Sequence, residues 1–302
     1  SEKYLTKENL SEKQDQVPLD LYFCLECTHV QLLAVVKPDY LWSDFTFKTA
    51  NNPALVAHFK DIAQRILNFN PIDKNDLIID IGSNDGTLLR CFKDVGYDNV
   101  LGVDPADEIA NEATQNGIPT INAYMDKETA NKIFKDHGKA SVITANNVYA
   151  HVDDLSGMTN AIKAVLAEDG IFVFEVSYLL DVVEKMLIGT IFHEHLCYHS
   201  VKAMSRFLKT KDMELIHVER GPEQGGSIVG YAQFKGGPRN IKESVIKLVE
   251  LEKKYRLHKP ETIREMYKRL ESVKSEFRRL ISDLRNNGKS LAGFGAARAG
   301  TT

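Results

Sequence analysis

Residues 76–86 read DLIIDIGSNDG, an apolar run that ends in an acidic residue and a glycine-rich turn. The run is short and almost continuously apolar, which is typical of a strand that is buried on both faces of a parallel sheet. In open α/β sheets, ligands bind outside the carboxyl ends of such strands, where this turn would lie. The stretch therefore predicts the first strand of a parallel sheet, followed by a turn that approaches a ligand.

The alternation of strand and helix continues along the chain and sets the fold class. An amphipathic helix is predicted over 53–69, ahead of the first strand, and two charged helices over 241–287, the second beginning at Pro260. Further strands are predicted at 99–104, 119–124, 140–147 and 170–176, with helices between them. The segments 214–219 and 228–234 predict an antiparallel hairpin at the sheet edge. This order is typical of an α/β, doubly wound sheet.

Composition limits the function classes. The 302 residues are 43% hydrophobic and 26% charged, so the chain is globular rather than disordered. The net charge of −4 gives no overall positive field for nucleic acid or an anionic membrane. The apolar runs are far shorter than a membrane span, and four cysteines are too few for a disulfide scaffold. We expect a cytoplasmic monomer or weak homodimer that acts on a small molecule.

The turn carries the features of a cofactor site. Its spacing is G-x-x-x-G, which is neither the dinucleotide pattern nor a phosphate-binding P-loop. Asp80 is suited to an ammonium group, and Asp104, at the end of the second strand, is suited to ribose hydroxyls. A tight turn with a helix-capping Asp104 is the plain alternative. Together these features resemble class I S-adenosylmethionine (SAM)-dependent methyltransferases, which predicts the cofactor-binding residues Asp80, Gly82, Asn84, Gly86, Asp104 and Asn146.

The segment 191–200, IFHEHLCYHS, is rich in histidine and follows a core strand. His195 is suited to act as a general base near neutral pH. On an extended strand His193 and His195 would share a face and could hold a metal, and a solvated polar loop is the third possibility. We favour the base, because the position at the end of the strand places the segment over the cofactor cleft.

Several motifs in order resemble the sugar C-methyltransferases that act on nucleotide-linked ketodeoxysugars. They are EVSYLL (175–180) with IFHEHLCYHS, NNVYAHVDD (146–154), GGSIVGY (225–231) and GKSLAGFGAARAGTT (288–302). The resemblance implies that His195 is the catalytic base, Glu194 its motif partner and His151 a polar contact to the substrate. It implies C-methylation next to a ketone, through an enolate. An O- or N-methyltransferase, a nicotinamide oxidoreductase suggested by GFGAARAG, and a non-catalytic SAM- and zinc-binding module are the alternatives.

Departures from the family pattern bear on the substrate rather than on the cofactor. Phe192 stands at the motif tyrosine and Ser177 at the usual proline. Phe45 and Phe47 occupy an aromatic loop in which tyrosine is usual, and Val229 stands where arginine is common. These changes remove hydroxyls and a guanidinium from the predicted substrate site.

Cys24 and Cys27 form a Cys-x-x-Cys pair between two β-like stretches. Tetrahedral zinc needs four ligands, so the pair alone also fits two reduced, packed thiols, and His29 is a conceivable extra ligand. The resemblance implies a structural zinc with a second pair upstream, and hence a chain truncated at both ends. We predict a partial zinc-binding module over 1–50, the methyltransferase core over 51–240, and a helical linker with the start of a Rossmann-like domain over 241–302.

Overall fold

The computed structural model describes residues 7, 11, 16–43 and 45–293. Within these residues the strands are β1 (Leu21–Phe23), β2 (Val30–Leu32), β3 (Ile78–Ile81), β4 (Val100–Asp104), β5 (Thr120–Asn122), β6 (Ala140–Asn146), β7 (Leu166–Ser177), β8 (Cys197–Tyr198), β9 (Met213–Gly221) and β10 (Ser227–Phe234). The α-helices are α1 (Pro38–Trp42), α2 (Pro53–Phe69), α3 (Thr87–Lys93), α4 (Asp107–Gln115), α5 (Lys127–His137), α6 (Leu155–Val165), α7 (Leu179–Lys185), α8 (Val201–Lys209), α9 (Glu243–Lys254) and α10 (Pro260–Asn286).

The central sheet has the order β5-β4-β3-β6-β7-β10-β9. Strands β3 to β7 pair in parallel, whereas β10 is antiparallel to both β7 and β9. All four residues of β3 and all five of β4 are buried, as near-continuous apolar runs require when helices cover both faces. The predicted doubly wound fold and its antiparallel edge hairpin are confirmed.

Helix α2 starts and ends as the sequence predicts. The Asn52 side chain accepts hydrogen bonds from the backbone N–H groups of Ala54 and Leu55, and Pro53 occupies the first turn. Phe59 and Ile62 lie on the buried face of the helix. This packing holds His58, the neighbour of Phe59, near the carboxyl ends of the central strands.

A second sheet, with the order β1-β2-β8, joins the cysteine-containing hairpin to the histidine-rich segment. Its backbone pairing continues beyond β8, because the N–H of Leu32 donates to the carbonyl of Leu196 at 2.9 Å. The segment just before Leu196 is a turn in which the N–H of His195 donates to the carbonyl of Phe192 at 3.0 Å. The alternative of an extended strand, on which His193 and His195 would share a face and hold a metal, therefore does not apply to this turn.

The two predicted charged helices are present as α9 and α10. Residues 294–302, with most of the predicted glycine-rich turn, lie outside the described residues, and the domain division stays a prediction. Across the described part of the chain, the helices are all too short or too polar to span a bilayer.

Glu252 connects α9 to the start of α8 through hydrogen bonds. Its buried carboxylate accepts hydrogen bonds from the backbone N–H groups of Val201 at 2.6 Å and Lys202 at 3.0 Å, and from the Tyr178 hydroxyl at 3.1 Å. The first N–H groups of a helix have no partner within the helix, so this carboxylate supplies one from outside.

We expect Glu252→Ala to lower the free energy of unfolding by about 3 kcal/mol, because it leaves buried donors without an acceptor. Chemical denaturation followed by circular dichroism measures the change. Glu250→Ala is the matched control, since Glu250 lies exposed on the same helix and its partner among the described residues is Lys253, three positions along. Equal losses in the two variants would contradict the anchoring role.

Candidate active site

A cavity of about 1420 Å³ lies at the carboxyl ends of β3, β4, β6 and β7. Helix α2 and the aromatic segment around Trp42, Phe45 and Phe47 form its other walls. This is the place where open α/β sheets bind ligands, and the volume exceeds that of an ordinary small-molecule pocket. Of the predicted site residues, those that line it are Asp80, Gly82, Asn84, Asp104, Asn146, His151 and His195.

Two glycines with positive backbone angles shape the ends of the glycine turn. Gly82 has φ +67°, and a Cβ at this position would run into Cγ2 of Val148. Gly86 has φ +76°, and a Cβ there would crowd Ile118. Both positions therefore require glycine, but only Gly82 borders the cavity, so Gly86 shapes the turn from behind.

Asp80 is a buried carboxyl with one hydroxyl partner. Thr144 Oγ1 donates to its Oδ1 at 2.6 Å, and the side chain is 4% exposed. Burial raises the pKa of Asp80 to about 7, the nearby charge of Asp104 adds to the increase, and the Thr144 hydrogen bond opposes it. A cationic ligand group would favour the ionised form, so Asp80 is suited to an ammonium partner.

Asp104 is oriented by the backbone at the end of β4. Its Oδ2 accepts from the N–H of Asn84 at 2.8 Å and its Oδ1 from the N–H of Ala106 at 2.9 Å. Burial raises the pKa of Asp104, and these two hydrogen bonds oppose the increase. Each carboxylate oxygen keeps a further lone pair for a ligand hydroxyl on the cavity side.

Asn146, at the end of β6, is 8% exposed, and neither Oδ1 nor Nδ2 has a hydrogen-bond partner among the described residues. Buried polar groups are normally paired, and an unpaired amide in a cavity wall points to a ligand that completes it. Asn146 therefore offers both a donor and an acceptor to whatever occupies the cavity.

Asn84 connects the glycine turn to the aromatic segment. Its Oδ1 accepts from the N–H of Thr49 at 2.9 Å, and its Nδ2 donates to the carbonyl of Phe47 at 2.8 Å. The neighbouring Asp85 accepts from the N–H of Ala50 at 2.8 Å. Asn84 is predicted as a cofactor contact, but in the structure its side-chain amide is hydrogen-bonded to the 47–50 segment. Nothing in the local sequence pattern signals this long-range contact.

His195 lies on the cavity wall, and one of its two ring nitrogens is hydrogen-bonded to the backbone. Its Nδ1 donates to the carbonyl of Thr190 at 2.7 Å, which leaves Nε2 as the basic nitrogen of the neutral ring. Burial lowers the pKa of His195, so the ring is neutral at pH 7. Glu194 is 6% exposed and is not among the described residues that line the cavity.

His151 forms the middle of an aromatic stack. Its ring lies 4.9 Å from that of Trp42 and 5.0 Å from that of His195, with interplanar angles of 16° and 13°. Burial lowers the pKa of His151 well below its usual value, and the His195 ring adds to the decrease. The stack holds two neutral imidazoles side by side at the cavity wall.

A third imidazole on the cavity, that of His58, is not predicted by the sequence. It lies between Glu175, near the end of β7, and Glu223, in the turn before β10. A signal was present, because Glu175 is a charged residue within the apolar strand 170–176. The partner on α2 is 117 positions away and has no local signature.

The cysteine pair lies in a hairpin turn away from the cavity. The N–H of Cys24 donates to the carbonyl of His29 at 2.8 Å, and Thr28 takes φ +65° to close the turn. Hydrogen bonds from the backbone and thiol of Cys27 lower the pKa of Cys24, which favours a thiolate and fits a zinc ligand. His29 packs against His199, with 5.4 Å between ring centroids.

Three family models match this chain. A methyltransferase domain model matches residues 56–218, which is more than half of the chain. A model for a C-methyltransferase C-terminal domain matches residues 222–302, and one for a zinc binding domain matches residues 1–42. The expected methyltransferase activity, with SAM and zinc as cofactors, is confirmed by these matches, whereas the roles of the individual site residues stay predictions.

Relatives of known activity and structure include other methyltransferases. C-methyltransferase NovU from Streptomyces niveus is 29% identical over 284 residues, which is 94% of this chain and 67% of that protein. Magnesium protoporphyrin IX methyltransferase from Synechocystis, solved with bound SAH, is 15% identical with a TM-score of 0.47, over 64% of this chain and 90% of that chain. A SAM-dependent methyltransferase from Clostridium acetobutylicum is 13% identical with a TM-score of 0.48, over 60% and 92%.

We expect Asn84→Gly to release the aromatic segment from the glycine turn. Glycine tolerates the φ of +50° at this position, so the variant removes the amide contacts without straining the backbone. The backbone N–H of Thr49 should exchange with solvent roughly 100-fold faster, since one hydrogen bond contributes about 1 kcal/mol and the three made by the Asn84 side chain are lost here.

Amide hydrogen exchange read by mass spectrometry over residues 45–52 measures this effect. Asn111→Ala is the control, because the Asn111 amide bonds to Asp107 on the surface of α4, far from the 45–52 segment in sequence. Unchanged exchange of the Thr49 amide in Asn84→Gly would show that the side chain does not hold the segment.

Proposed function

This chain belongs to the SAM-dependent C-methyltransferase family, and we propose that it methylates the carbon next to the ketone of a nucleotide-linked 4-ketosugar. The observation that carries the proposal is the state of His195. The ring is neutral, its Nδ1 is fixed by Thr190, and the cavity that it borders also contains the predicted cofactor wall. C-methylation requires a base at the reacting carbon, whereas a sugar hydroxyl is methylated without an enolate.

The described residues fit SAM. Gly82 gives a side-chain-free approach at the end of β3, and the unpaired amide of Asn146 offers hydrogen bonds beside it. Asp80 would hold the ammonium group of the methionine part, and Asp104 would accept from the ribose hydroxyls. Bound SAM supplies an electrophilic methyl group to the carbon that His195 has deprotonated.

The role of His195 follows from its tautomer. Nε2 takes the proton from the carbon next to the ketone, and the electrons of the C–H bond form the C=C bond of an enolate. The Thr190 carbonyl stabilises the imidazolium that results, because the Nδ1–H is already directed at it. A positioned base of this kind contributes about 10²- to 10⁴-fold to a rate.

A nucleotide-linked ketosugar as substrate is supported by the size and lining of the cavity. About 1420 Å³ leaves room for a second ligand beside the cofactor, and Phe45 and Phe47 offer ring faces to it. His151 borders the same space, in keeping with its proposed contact to the substrate. Val229, which replaces a common arginine, is 2% exposed and packs inside the sheet.

We expect His195→Asn to abolish methyl transfer and also the exchange of the substrate's α-hydrogen with deuterium from solvent. SAM affinity should stay within about twofold, because the imidazole acts on the acceptor. Nuclear magnetic resonance of candidate 4-ketosugars in heavy water measures the exchange, and calorimetry measures SAM binding. His193→Asn is the control, since that side chain bonds to the carbonyl of Val17 outside the cavity.

An active His195→Asn enzyme would exclude His195 as the base. Methyl transfer by the wild type without any α-hydrogen exchange would instead favour O- or N-methylation by the same cofactor site.

We also expect the affinity for SAM to depend on the ionisation of Asp80. The pKa of the carboxyl is raised to about 7 before the ligand binds, and an ammonium partner requires the ionised form. As the pH falls below about 7, the carboxyl must first lose a proton, so affinity should weaken about tenfold per pH unit.

Calorimetry between about pH 5.5 and 7 measures this slope, because the α-amino group of the ligand stays protonated there. Asp80→Asn should bind roughly 10- to 100-fold more weakly at pH 7 and should lose most of the slope. Asp98→Asn, at an exposed position, is the control. The same slope in Asp80→Asn and in the wild type would assign it to another group.

A further inference from the structure

The wall of the cavity also contains the imidazole of His58, whose surroundings differ from those of His195. Its Nε2 donates to Glu175 Oε2 at 2.8 Å, and its Nδ1 lies 3.3 Å from Glu223 Oε1. All three side chains line the cavity that also contains His195. Two carboxylates therefore flank one imidazole, each facing a different ring nitrogen.

The carboxylate of Glu175, near the end of β7, is buried and held in place by a hydrogen bond. Glu175 is 1% exposed, and its second oxygen accepts from the Ser227 hydroxyl at 2.7 Å. A buried carboxylate is costly unless a positive charge pairs with it, and the His58 ring is the cation that reaches it in the described part of the chain. His58 is therefore held as an imidazolium.

The charged groups that face His58 agree with this state. Burial on its own lowers the pKa of His58, but the Glu175 hydrogen bond and the charges of Glu175 and Glu223 outweigh burial and raise it. Arg65, farther along α2, opposes the increase. The neutral His195 and the cationic His58 thus lie on one cavity with opposite protonation states, the pattern by which an acid and a base are distinguished in an active site.

We propose that His58 is the proton donor to the ketone oxygen and thus the acid that works with His195 as base. The contact to Glu223 is the longer of the two, and Glu223 is the more exposed partner, so Nδ1–H is the bond that can turn to a substrate oxygen while Glu175 keeps Nε2. This inference rests on the proposed ketone substrate.

Protons and electrons balance in the step from ketone to enol and back. His195 Nε2 takes the α-proton, the C–H electrons form the C=C bond, and the carbonyl π electrons move to oxygen, which takes the proton from His58 Nδ1. When the carbonyl forms again, the enol proton returns to His58. His195 then releases its proton to water, so one proton leaves per turnover.

The experiment measures exchange of the α-hydrogen of 4-ketosugars in heavy water without SAM, as a function of pH. In the wild type the rate should rise as His195 loses its proton and fall at higher pH as His58 loses its own. His58→Gln should be about 100-fold slower or more and should lack the high-pH decline. His137→Gln, an exposed histidine on α5, should match the wild type.

Glu223→Gln tests the same idea without removing the imidazole. Losing one of the two negative charges should move the high-pH decline to lower pH, with SAM affinity unchanged within about twofold. A merely structural role of the cluster would change the rate at every pH and leave the position of that decline where it is.

The outcomes separate the two proposals. Normal exchange in His58→Gln, with the high-pH decline intact, would overturn the role of His58 and leave His195 as the base. No exchange of any ketosugar by wild-type enzyme that binds SAM would overturn the proposed function and this inference with it. Binding of Mn²⁺ that is detected by electron paramagnetic resonance and lost in His58→Gln would assign the cluster to a cation and overturn the acid role.

Discussion

The site depends on one constraint, that parallel strands present their carboxyl ends at the same edge of the sheet. Each of four neighbouring strands carries a buried polar side chain at or near that end. They are Asp80 on β3, Asp104 on β4, Asn146 on β6 and Glu175 on β7. Burying polar groups is unfavourable unless they are hydrogen-bonded. A polar ligand that binds at this edge would supply such partners and lower the free energy of the site. The apolar remainder of each strand, packed between helices, stabilises the fold enough to tolerate the burial of these polar groups.

Burial alone does not decide the chemistry of the histidines on the cavity. It lowers the pKa of His195 and of His151, and it acts in the same direction on His58. What separates His58 is the pair of carboxylates that faces it, whereas His195 faces a backbone carbonyl and an aromatic ring. A carbonyl dipole orients an imidazole without charging it, and a buried carboxylate holds it protonated. The same residue type is thereby suited to two opposite tasks.

The sequence predicts those features that local pattern determines. Strand burial, the helix over 53–69 and the glycine turn all follow from residues within a few positions of each other, and the structure has them where the sequence predicts them. It does not predict the pairing of His58 with Glu175 or of Asn84 with Thr49, because these contacts join segments 117 and 35 positions apart. An extended strand is one of the alternatives that the histidine-rich segment leaves open, whereas in the structure its backbone closes into a turn at His195.

The N-terminal segment supports the proposed base from two directions, so the cysteine hairpin and the chemistry are physically connected. Strand β2 pairs with β8 and continues to Leu196, which fixes the backbone next to His195. Trp42 covers the outer face of His151, and His151 in turn covers His195. Burial beneath these rings is what lowers the pKa of His195, since a solvated imidazole would return toward its ordinary value and be partly protonated near neutral pH. Stabilising the hairpin at Cys24 and Cys27 therefore also favours the neutral, oriented form of His195, although the thiols lie outside the cavity wall.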